Sequence, residues 1–347
     1  SRRYALSEMA GTQIVKNVNN DLTLSKILTR KAFENAIKVN AAIGGSTNAI
    51  IHLLAIANRM NVKLSLSDFD DLIKNVPFIV NLKPSGDYLM EDFCYAGGLP
   101  AVIKEILPFL NKNAKTITGK TLEQNIKNSK NFNTKVIRTL KNPINVGAGT
   151  AVLRGNLAPE GAVIKISAAS PKLMKHKGRA VVFENLEDLH KRLDDPKTKI
   201  NKNSVMVLKG SGPKGYPGMP EVGNLPLPTK LLKKGIRDVV RISDGRMSGT
   251  SFGTVVLHVS PESSIGGPLA IVMNDDVIEL DVKARKLNIL ISDQEMKKRL
   301  NKWKKPKQKY TRGWYKLYID TVEQASKGCD LNFLGGSSGS DIKRSNH

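Results

Sequence analysis

Five small or polar residues precede an apolar segment, and their types suit the binding of an anion. They are Gly44, Gly45, Ser46, Thr47 and Asn48, and the stretch 48–57 that follows is apolar on nearly all sides. Such a stretch predicts a buried helix, whose first turn offers free N–H groups and a positive dipole end to a carboxylate or phosphate. No lysine follows the second glycine, so this is not a Walker loop. The alternative is an ordinary N-cap with closely packed glycines, which these five residues alone favour.

A second candidate is the segment 210–221, which follows a strand-like run and is too rich in Gly and Pro for regular structure. Glycine and proline hold such a loop in shapes that other residues do not reach. The segment ends in a single carboxylate, Glu221, which would suit a hard cation such as Mg²⁺. The alternative is a surface turn with an exposed glutamate, and composition does not choose between the two.

The segment 241–250 also follows a strand-like run and places polar side chains beside two glycines. Ser248 lies between Met247 and Gly249, where its hydroxyl could face a cavity. A serine that acts as nucleophile or base needs an activating neighbour. His258 lies in a later strand, where a core histidine is the commoner interpretation. Ser248 does not lie in a GxSxG pattern, so a hydrolase elbow is not supported there.

Only two cysteines occur, Cys94 and Cys329, and neither has a second cysteine or a histidine at metal-ligand spacing. This excludes a disulfide framework and a zinc ribbon. It fits a reducing compartment, so we expect a cytoplasmic protein. No apolar run approaches the roughly 20 residues that cross a bilayer, which argues against a membrane span. The chain starts at Ser1 with no signal-peptide pattern, and the missing initiator Met suggests a piece of a longer chain.

The chain is strongly basic, with 55 Lys and Arg against 31 Asp and Glu and a formal net charge of +24. Such a surplus attracts nucleic acid or an anionic membrane surface. The densest basic run, 302–310, contains aromatic residues that could stack on bases. Most of the excess is lysine scattered along the chain, which is typical of a solvated face, so we favour a solvated surface over nucleic-acid binding.

The elements that must position these residues change in character near residue 142. Before it, apolar positions recur at helical spacing behind capping residues, which predicts helices joined by short loops. After it, short β-branched runs separated by Gly and Pro predict a closed or sandwich-like β domain. The boundary falls in the Asn- and Lys-rich stretch 125–142, which gives predicted domains 1–130 and 131–347. The predicted helix starts are Thr29, Ser67, Pro100, Thr121 and Ser292.

Strand-length runs follow one another through the second domain. Two of them, 277–282 and 287–291, alternate apolar and polar residues on either side of a turn and therefore predict a hairpin. The full set is 162–166, 180–183, 205–208, 239–242, 254–259, 269–272, 277–282 and 287–291.

Six long phrases occur in one order along the chain and carry a resemblance that no single motif carries. Together they resemble the family of dihydroxy-acid and sugar-acid dehydratases, from near Ser1 to about Leu334. The phrases are GGSTNAIIHLLAIA (44–57), KPSGDYLMEDFCYAGGLPAV (83–102), VLRGNLAPEGAVIK (152–165), GRAVVFE (178–184), GYPGMPEVGNLPLP (215–228) and DGRMSGTSFGTVVLHVSPE (244–262).

Two branches of that family compete. Three features resemble the sugar-acid dehydratases of the arabinonate and xylonate type. They are the residues at 246–250, Leu257 before His258, and the C-terminal stretch 313–334. The branched-chain amino-acid enzymes tend to carry Phe-Ser-Gly-Gly in the loop and Gly before the His. The resemblance therefore implies dehydration of an aldonate to a 2-keto-3-deoxy acid, with dihydroxy-acid dehydration as the alternative. Two other classes, a basic nucleic-acid-binding protein and a non-catalytic scaffold, stay open as less favoured hypotheses.

The resemblance also implies a fold and a site. The fold would be the helical remainder of an α/β N-terminal domain followed by a C-terminal β-barrel-like domain with flanking helices. Glu221 would bind Mg²⁺, Ser248 would remove the C2 proton as an alkoxide, and an iron of a [2Fe-2S] cluster would take the C3 hydroxyl. Residues 44–48, Thr250 and His347 would line the pocket. The cluster ligands would lie upstream of this chain, so we expect it to be inactive alone; the family also implies a homodimer or homotetramer.

Overall fold

The structure, a computed structural model, describes residues 2–335, and its first part is helical. Two helices form the centre of this part because each carries an apolar stripe at helical spacing, with Phe33 and Ile37 buried on one and Ile50 and Leu54 on the other. The helices are α1 (Arg2–Asn19), α2 (Leu24–Ile27), α3 (Arg30–Ala42), α4 (Asn48–Arg59), α5 (Asp68–Asp71), α6 (Met90–Tyr95), α7 (Gly98–Glu105) and α8 (Leu122–Ile126).

A closed barrel follows, with the strand order β1-β2-β6-β5-β4-β3-β7-β8. The run β3, β4, β5, β6 is parallel, and β2 and β7 pair antiparallel at its two ends. A parallel contact between β1 and β8 closes the barrel. The strands are β1 (Ala151–Gly155), β2 (Ala158–Ile164), β3 (Lys175–Phe183), β4 (Val205–Leu208), β5 (Val240–Ser243), β6 (Val255–Ser260), β7 (Val277–Asp281) and β8 (Lys286–Ile289).

The burial of the strands explains their sequence patterns. Every residue of β4, β5 and β6 is buried, because one face lines the barrel interior and the other is covered from outside. Over β4, the cover comes from α9 (Leu186–Arg192) and α10 (Thr229–Lys233), which share a hydrophobic cluster with Met206 and Leu208. In contrast, β7 alternates buried and half-buried residues. The last helices are α11 (Asp293–Lys302) and α12 (Gly313–Thr321).

The helical part packs directly on one side of the barrel. Val152 of β1 and Val163 of β2 belong to the same hydrophobic cluster as the helices α3 and α4. The turn between β7 and β8 adds an ion pair, in which Arg285 Nε lies 2.9 Å from Asp70 Oδ1. The two parts therefore meet over β1 and β2, and the start of α4 is brought to the barrel.

The predicted fold class, helices followed by a β-barrel-like domain, is confirmed. The predicted hairpin is confirmed as β7 and β8, and Thr121 caps α8 as predicted, accepting the Gln124 N–H. The predicted strand 269–272 is wrong: Pro268–Ile271 is a short 3₁₀-helix that Pro268 opens. Sequence reasoning missed β1 altogether. The predicted domain limits, 1–130 and 131–347, stay a prediction.

The predicted helix start at Ser67 is confirmed, because α5 begins at Asp68, but the Ser67 side chain makes no capping hydrogen bond, so the capping box that Ser67 and Asp70 resemble is absent. Pro100 does not open its helix, because α7 already begins at Gly98. Within residues 2–335, no helix combines the length and the apolar character that a membrane crossing requires.

Candidate functional site

The loops that carry Glu221 and Ser248 leave the barrel at one edge. β4 and β5 are parallel neighbours, and Leu208, the last residue of β4, pairs with Ser243, the last residue of β5. Because the carboxyl ends of parallel strands meet at the same edge, the segments that follow start side by side. We call 209–225 the Glu221 loop and 244–254 the Ser248 loop.

Hydrogen bonds join these two loops to each other. The Gly223 N–H donates to the Arg246 carbonyl at 2.8 Å, and Arg246 Nε donates to the Met219 carbonyl at 2.5 Å. An ideal Cβ on Gly223 would lie only 3.0 Å from that same Arg246 oxygen, so the close approach depends on glycine. The two loops therefore form one surface.

The turn 44–48 contacts both loops. The side-chain amide of Asn48, the first residue of α4, donates to Glu221 Oε1. Ser46 packs against the other loop: an ideal Cβ on Gly249 would lie 3.1 Å from Ser46 Cβ and 3.2 Å from its hydroxyl. This turn thus lies between the two loops that carry the predicted functional residues, and it brings the helical part to them.

The turn is more than a capped helix start. Thr47 stands at the N-cap position, yet its side chain makes no capping bond, and its buried hydroxyl has no partner within the described residues. The Asn48 N–H donates instead to Ser46 Oγ at 3.2 Å. Gly44 has a φ of 59°, and a Cβ there would lie 2.7 Å from the Phe78 ring. The close packing of the glycines is therefore real, while the predicted ordinary N-cap is absent.

Ser248 has a local hydroxyl partner. Its Oγ lies 2.9 Å from Thr250 Oγ1, and the Thr250 N–H donates to Ser248 Oγ at 3.4 Å. No imidazole or carboxylate of residues 2–335 bonds to this hydroxyl. The activating neighbour that a serine base requires must therefore come from a bound group or from a charge that acts across a short distance.

His258 is buried, but its hydrogen-bonding capacity is not fully used by the described residues. It is 2% exposed, and its Nε2 has no hydrogen-bond partner among the described residues. Burial, helped by the charges of Arg246 and His52, lowers the pKa of His258 to about 3. The ring is therefore neutral at ordinary pH. The core-histidine interpretation describes its position, although one ring nitrogen faces no partner.

Two buried carboxylates, which sequence reasoning did not single out, hold the Glu221 loop from below. Glu262 accepts the backbone N–H groups of Lys214 and Gly215, at distances between 2.8 and 3.1 Å. Asp244 accepts the Ser211 N–H at 2.9 Å. Burial and the nearby Asp244 raise the pKa of Glu262 to about 7, and burial also raises the pKa of Asp244.

Lys165 opens a lysine-rich stretch, 165–177, which from the sequence could contact an anionic substrate, with solvent-facing lysines as the commoner alternative. Lys165 is 3% exposed, and its Nζ donates to the Gly249 carbonyl at 3.0 Å. Burial lowers the pKa of its ammonium group. Neither its burial nor its contact with the Ser248 loop leaves a signal in the local sequence.

The described residues fit part of a magnesium site. Glu221 is exposed, and the Asn48 amide beside it has a buried Oδ1 with no hydrogen-bond partner within residues 2–335. A carboxylate and an unpaired amide oxygen are ligands that hard cations prefer. Residues 2–335 hold no group of three His, Cys, Asp or Glu side chains placed for a metal, so further ligands would have to come from elsewhere.

The cysteines do not fit an iron–sulfur cluster. Cys94 is exposed on α6, whereas Cys329 Sγ lies 3.4 Å from Met219 Sδ in a small apolar cluster. Burial, followed by the charge of Glu262, raises the pKa of Cys329 to about 12, which disfavours the thiolate that a cluster requires. His347 lies outside the described residues, and its predicted place in the pocket stays a prediction.

The comparisons with known sequences cover both parts of the chain. A pattern described as "Dihydroxy-acid/6-phosphogluconate dehydratase N-terminal" matches residues 1–125, and its C-terminal counterpart matches residues 135–329. The chain belongs to this dehydratase family. The resemblance that the six phrases carry is thereby confirmed.

Individual members of the dehydratase family refine the comparison. An L-arabinonate dehydratase of Rhizobium leguminosarum bv. trifolii is 53% identical over 100% of this chain and 60% of its own length. An L-arabonate dehydratase of Azospirillum brasilense is 52% identical over 100% of this chain and 61% of its own length. A dihydroxy-acid dehydratase of Caldanaerobacter subterraneus subsp. tengcongensis is 43% identical over 94% of this chain and 59% of its own length. The chain therefore spans about three fifths of the length of these relatives.

Proposed function

We propose that this chain is part of a hydro-lyase that dehydrates a sugar acid, an aldonate such as arabinonate or xylonate, to a 2-keto-3-deoxy acid. The main support is geometric: the turn 44–48 contacts both the Glu221 loop and the Ser248 loop. The helix start at 48 is thus in contact with the carboxylate of Glu221 and with the loop that carries the Ser248 hydroxyl. Relatives named for arabinonate, at 53% and 52% identity, favour an aldonate as substrate.

The proposed reaction begins with proton transfer. Ionised Ser248 Oγ takes the proton from C2, the electron pair of the C2–H bond forms a C2=C3 bond, and the C3–O bond breaks. The departing hydroxide takes the proton that Ser248 Oγ removed from C2 and leaves as water, which returns Ser248 to its ionised form. The enol that remains tautomerises to the 2-keto acid. A serine hydroxyl is a weak base, so this step needs positive charge nearby.

The described residues would bind and orient the substrate. Glu221 and Asn48 would hold Mg²⁺ against the carboxylate end of the substrate, and Thr250 directs the Ser248 hydroxyl through their 2.9 Å contact. The turn 44–48 is proposed to line the substrate pocket, although the Thr47 hydroxyl within it is buried. Bound Mg²⁺ and a [2Fe-2S] cluster would supply Lewis-acid chemistry, and the cluster ligands are proposed to lie outside this chain.

The surroundings of the reaction are proposals of the same kind. We infer a cytoplasmic enzyme that assembles as a homodimer or homotetramer, acts on a small sugar acid and has no role for nucleic acid. We also infer that this chain is inactive alone, because the described residues supply only part of a metal site. Turnover of an aldonate by the purified 347-residue chain would contradict that inference.

A dihydroxy-acid substrate is the alternative. A relative with that name is 43% identical over 94% of the chain. The same proton transfer and loss of hydroxide would apply, because dihydroxy acids and aldonates share the 2,3-dihydroxy carboxylate.

A substrate panel tests the proposal. The full-length protein is reconstituted anaerobically with iron, sulfide and Mg²⁺, and 2-keto acid formation is measured with a set of aldonates and with 2,3-dihydroxyisovalerate. We expect turnover of at least one pentonate and weak or no turnover of dihydroxyisovalerate. Turnover of dihydroxyisovalerate alone would support the alternative, and no turnover by the cluster-loaded protein would contradict a hydro-lyase.

A further inference from the structure

Lys165 is a buried cation that has no opposite charge beside it in the described part of the chain. It follows β2 directly and is 3% exposed. Other lysines form ion pairs, but Lys165 forms none with any carboxylate that the structure describes. Burial of an unpaired ammonium group is unfavourable, because the charge loses its hydration, unless hydrogen bonds to the protein or to a ligand replace the lost water. The burial of this lysine therefore indicates a specific structural or functional role.

The two ends of the Ser248 loop are fixed without the help of Lys165. Near the beginning of the loop, Arg246 Nε donates to the Met219 carbonyl at 2.5 Å. Near its end, the Gly253 N–H donates to the Ala168 carbonyl at 2.9 Å. These bonds hold the two ends of the loop against neighbouring segments, but neither of them involves residues 248–250.

The middle of the loop, 248–250, bonds mainly to itself. Ser248 and Thr250 pair through their hydroxyls at 2.9 Å, and the Ser251 N–H donates back to the Ser248 carbonyl at 3.0 Å. Among the described residues, the bond from Lys165 Nζ to the Gly249 carbonyl is the one hydrogen bond that reaches this segment from outside the loop. Ser46 closes the opposite side by packing against Gly249.

We propose that Lys165 is the positioning residue of the Ser248 segment, which it holds through the Gly249 carbonyl so that the serine hydroxyl points at the substrate. The inference rests on the proposed role of Ser248. The ammonium also places positive charge on the peptide group next to Ser248, which favours the ionised hydroxyl. Lys165 acts through the loop and is not assigned a contact with the substrate.

Lys165→Met tests the proposal, because methionine keeps the apolar stem and removes both the donor and the charge. The matched control is Lys172→Met, an exposed lysine in the short 3₁₀-helix Pro171–Leu173. In the full-length protein, we expect amide hydrogen exchange in 247–251 to become at least about tenfold faster in Lys165→Met and to stay unchanged in the control. With the substrate that the panel identifies, we expect kcat to fall by about 10- to 100-fold while KM changes little.

Each result has a distinct meaning. Unchanged exchange together with unchanged kcat would overturn the proposal. A rise in KM alone would also overturn it, because that pattern indicates direct substrate binding. If no aldonate were turned over, the proposed function would fail, whereas the exchange measurement would still test the role of Lys165.

A wild-type measurement covers the case in which Lys165→Met does not fold. The Thr250 N–H and the Gly249 carbonyl belong to one peptide group, so the Thr250 amide ¹⁵N shift should follow the titration of the Lys165 ammonium. Selective ¹³C labelling of lysine and ¹⁵N labelling of threonine would record both curves in one sample. Two unrelated titration curves would overturn the proposal.

Discussion

The loops that carry Glu221 and Ser248 start at the same barrel edge, yet they are held in opposite ways. The first half of the Glu221 loop presents backbone N–H groups to two buried carboxylates, Asp244 and Glu262. The middle of the Ser248 loop presents one backbone carbonyl to one buried ammonium, that of Lys165. In each case a buried charge is matched to the backbone dipole that faces it.

The difference lies in the number of contacts. The Glu221 loop has at least three N–H groups bonded to carboxylates, so the loss of one bond leaves the others in place. The Ser248 segment has one outside hydrogen bond in the described part of the chain. We therefore expect changes under the Glu221 loop to alter mainly stability, and changes around Ser248 to alter mainly catalysis.

The largest effect is expected at Ser248. Ser248→Ala removes the proposed base, and the loss of a general base lowers kcat by about 10²- to 10⁴-fold. Steady-state kinetics with the identified aldonate measure this loss. Ser251→Ala, a nearby hydroxyl in the same loop, is the control and should keep wild-type activity. Near-wild-type turnover by a folded Ser248→Ala enzyme would contradict the proposed role of Ser248 as the base.

Glu262 should make stability depend on pH. Its pKa is about 7 in the folded protein against an ordinary 4.5, so the folded state binds this proton more tightly than the unfolded state. The contribution of Glu262 to the free energy of unfolding therefore falls as pH rises from about 4.5 to about 7, and is constant above that range. The shift corresponds to about 3 kcal/mol.

Glu262→Gln measures this contribution, because glutamine does not titrate. The stability difference between wild type and Glu262→Gln should favour wild type more at pH 5 than at pH 8, by about 3 kcal/mol. Urea unfolding at the two pH values gives the difference, and Glu187→Gln, an exposed glutamate, provides the control. Equal differences at both pH values would show that Glu262 does not hold its loop as a titrating carboxylate.

Glu221 should govern metal affinity rather than stability. Glu221→Gln keeps a partner for the Asn48 amide but removes the negative charge, so we expect the Mg²⁺ concentration for half-maximal activity to rise by about 10- to 100-fold. A Mg²⁺ titration of activity provides the measurement, with Glu187→Gln again as control. An unchanged Mg²⁺ requirement would argue that the cation binds elsewhere.

The smallest effect is expected where Ser46 meets Gly249. Gly249→Ala would place a Cβ 3.1 Å from Ser46 Cβ, and such overpacking costs roughly 1 kcal/mol or more. Ser46→Gly removes the obstructing atoms and should restore most of the lost stability in the double variant. Urea unfolding of the four proteins gives the coupling free energy. If the changes in unfolding free energy of the two single variants were additive, Ser46 and Gly249 would not be in energetically significant contact.

The barrel was largely predictable because its signals are local. The run Val205–Leu208 is apolar and β-branched, which favours a strand whatever surrounds it, and β4 has those bounds. The run 269–272 has similar composition, but Pro268 fixes the backbone for a 3₁₀ turn instead. β1 was missed because Arg154 and Gly155 break its apolar run, which leaves only the three residues from Ala151 to Leu153 as a strand signal.

The site was predictable only in part. Glu221 and Ser248 were found because they lie in sequence segments that resemble the dehydratase family, and their roles stay predictions. The contact between Asn48 and Glu221 joins residues 173 positions apart, a separation over which spacing carries no information. Glu262 and Lys165 look like ordinary surface charges in the sequence, and only their burial distinguishes them.

The sequence by itself determined the helical first part, most of the strands, the family and the two loops in which to look for chemistry. Those features depend on side-chain periodicity, turn residues and motif wording, which act over a few neighbouring residues. Tertiary structure alone decided that β4 and β5 end at one edge, that the turn 44–48 lies between their loops, and that Lys165 is buried under Gly249. Those outcomes depend on strand order and on desolvation by distant parts of the chain, because a charge is costly only where the fold removes water from it.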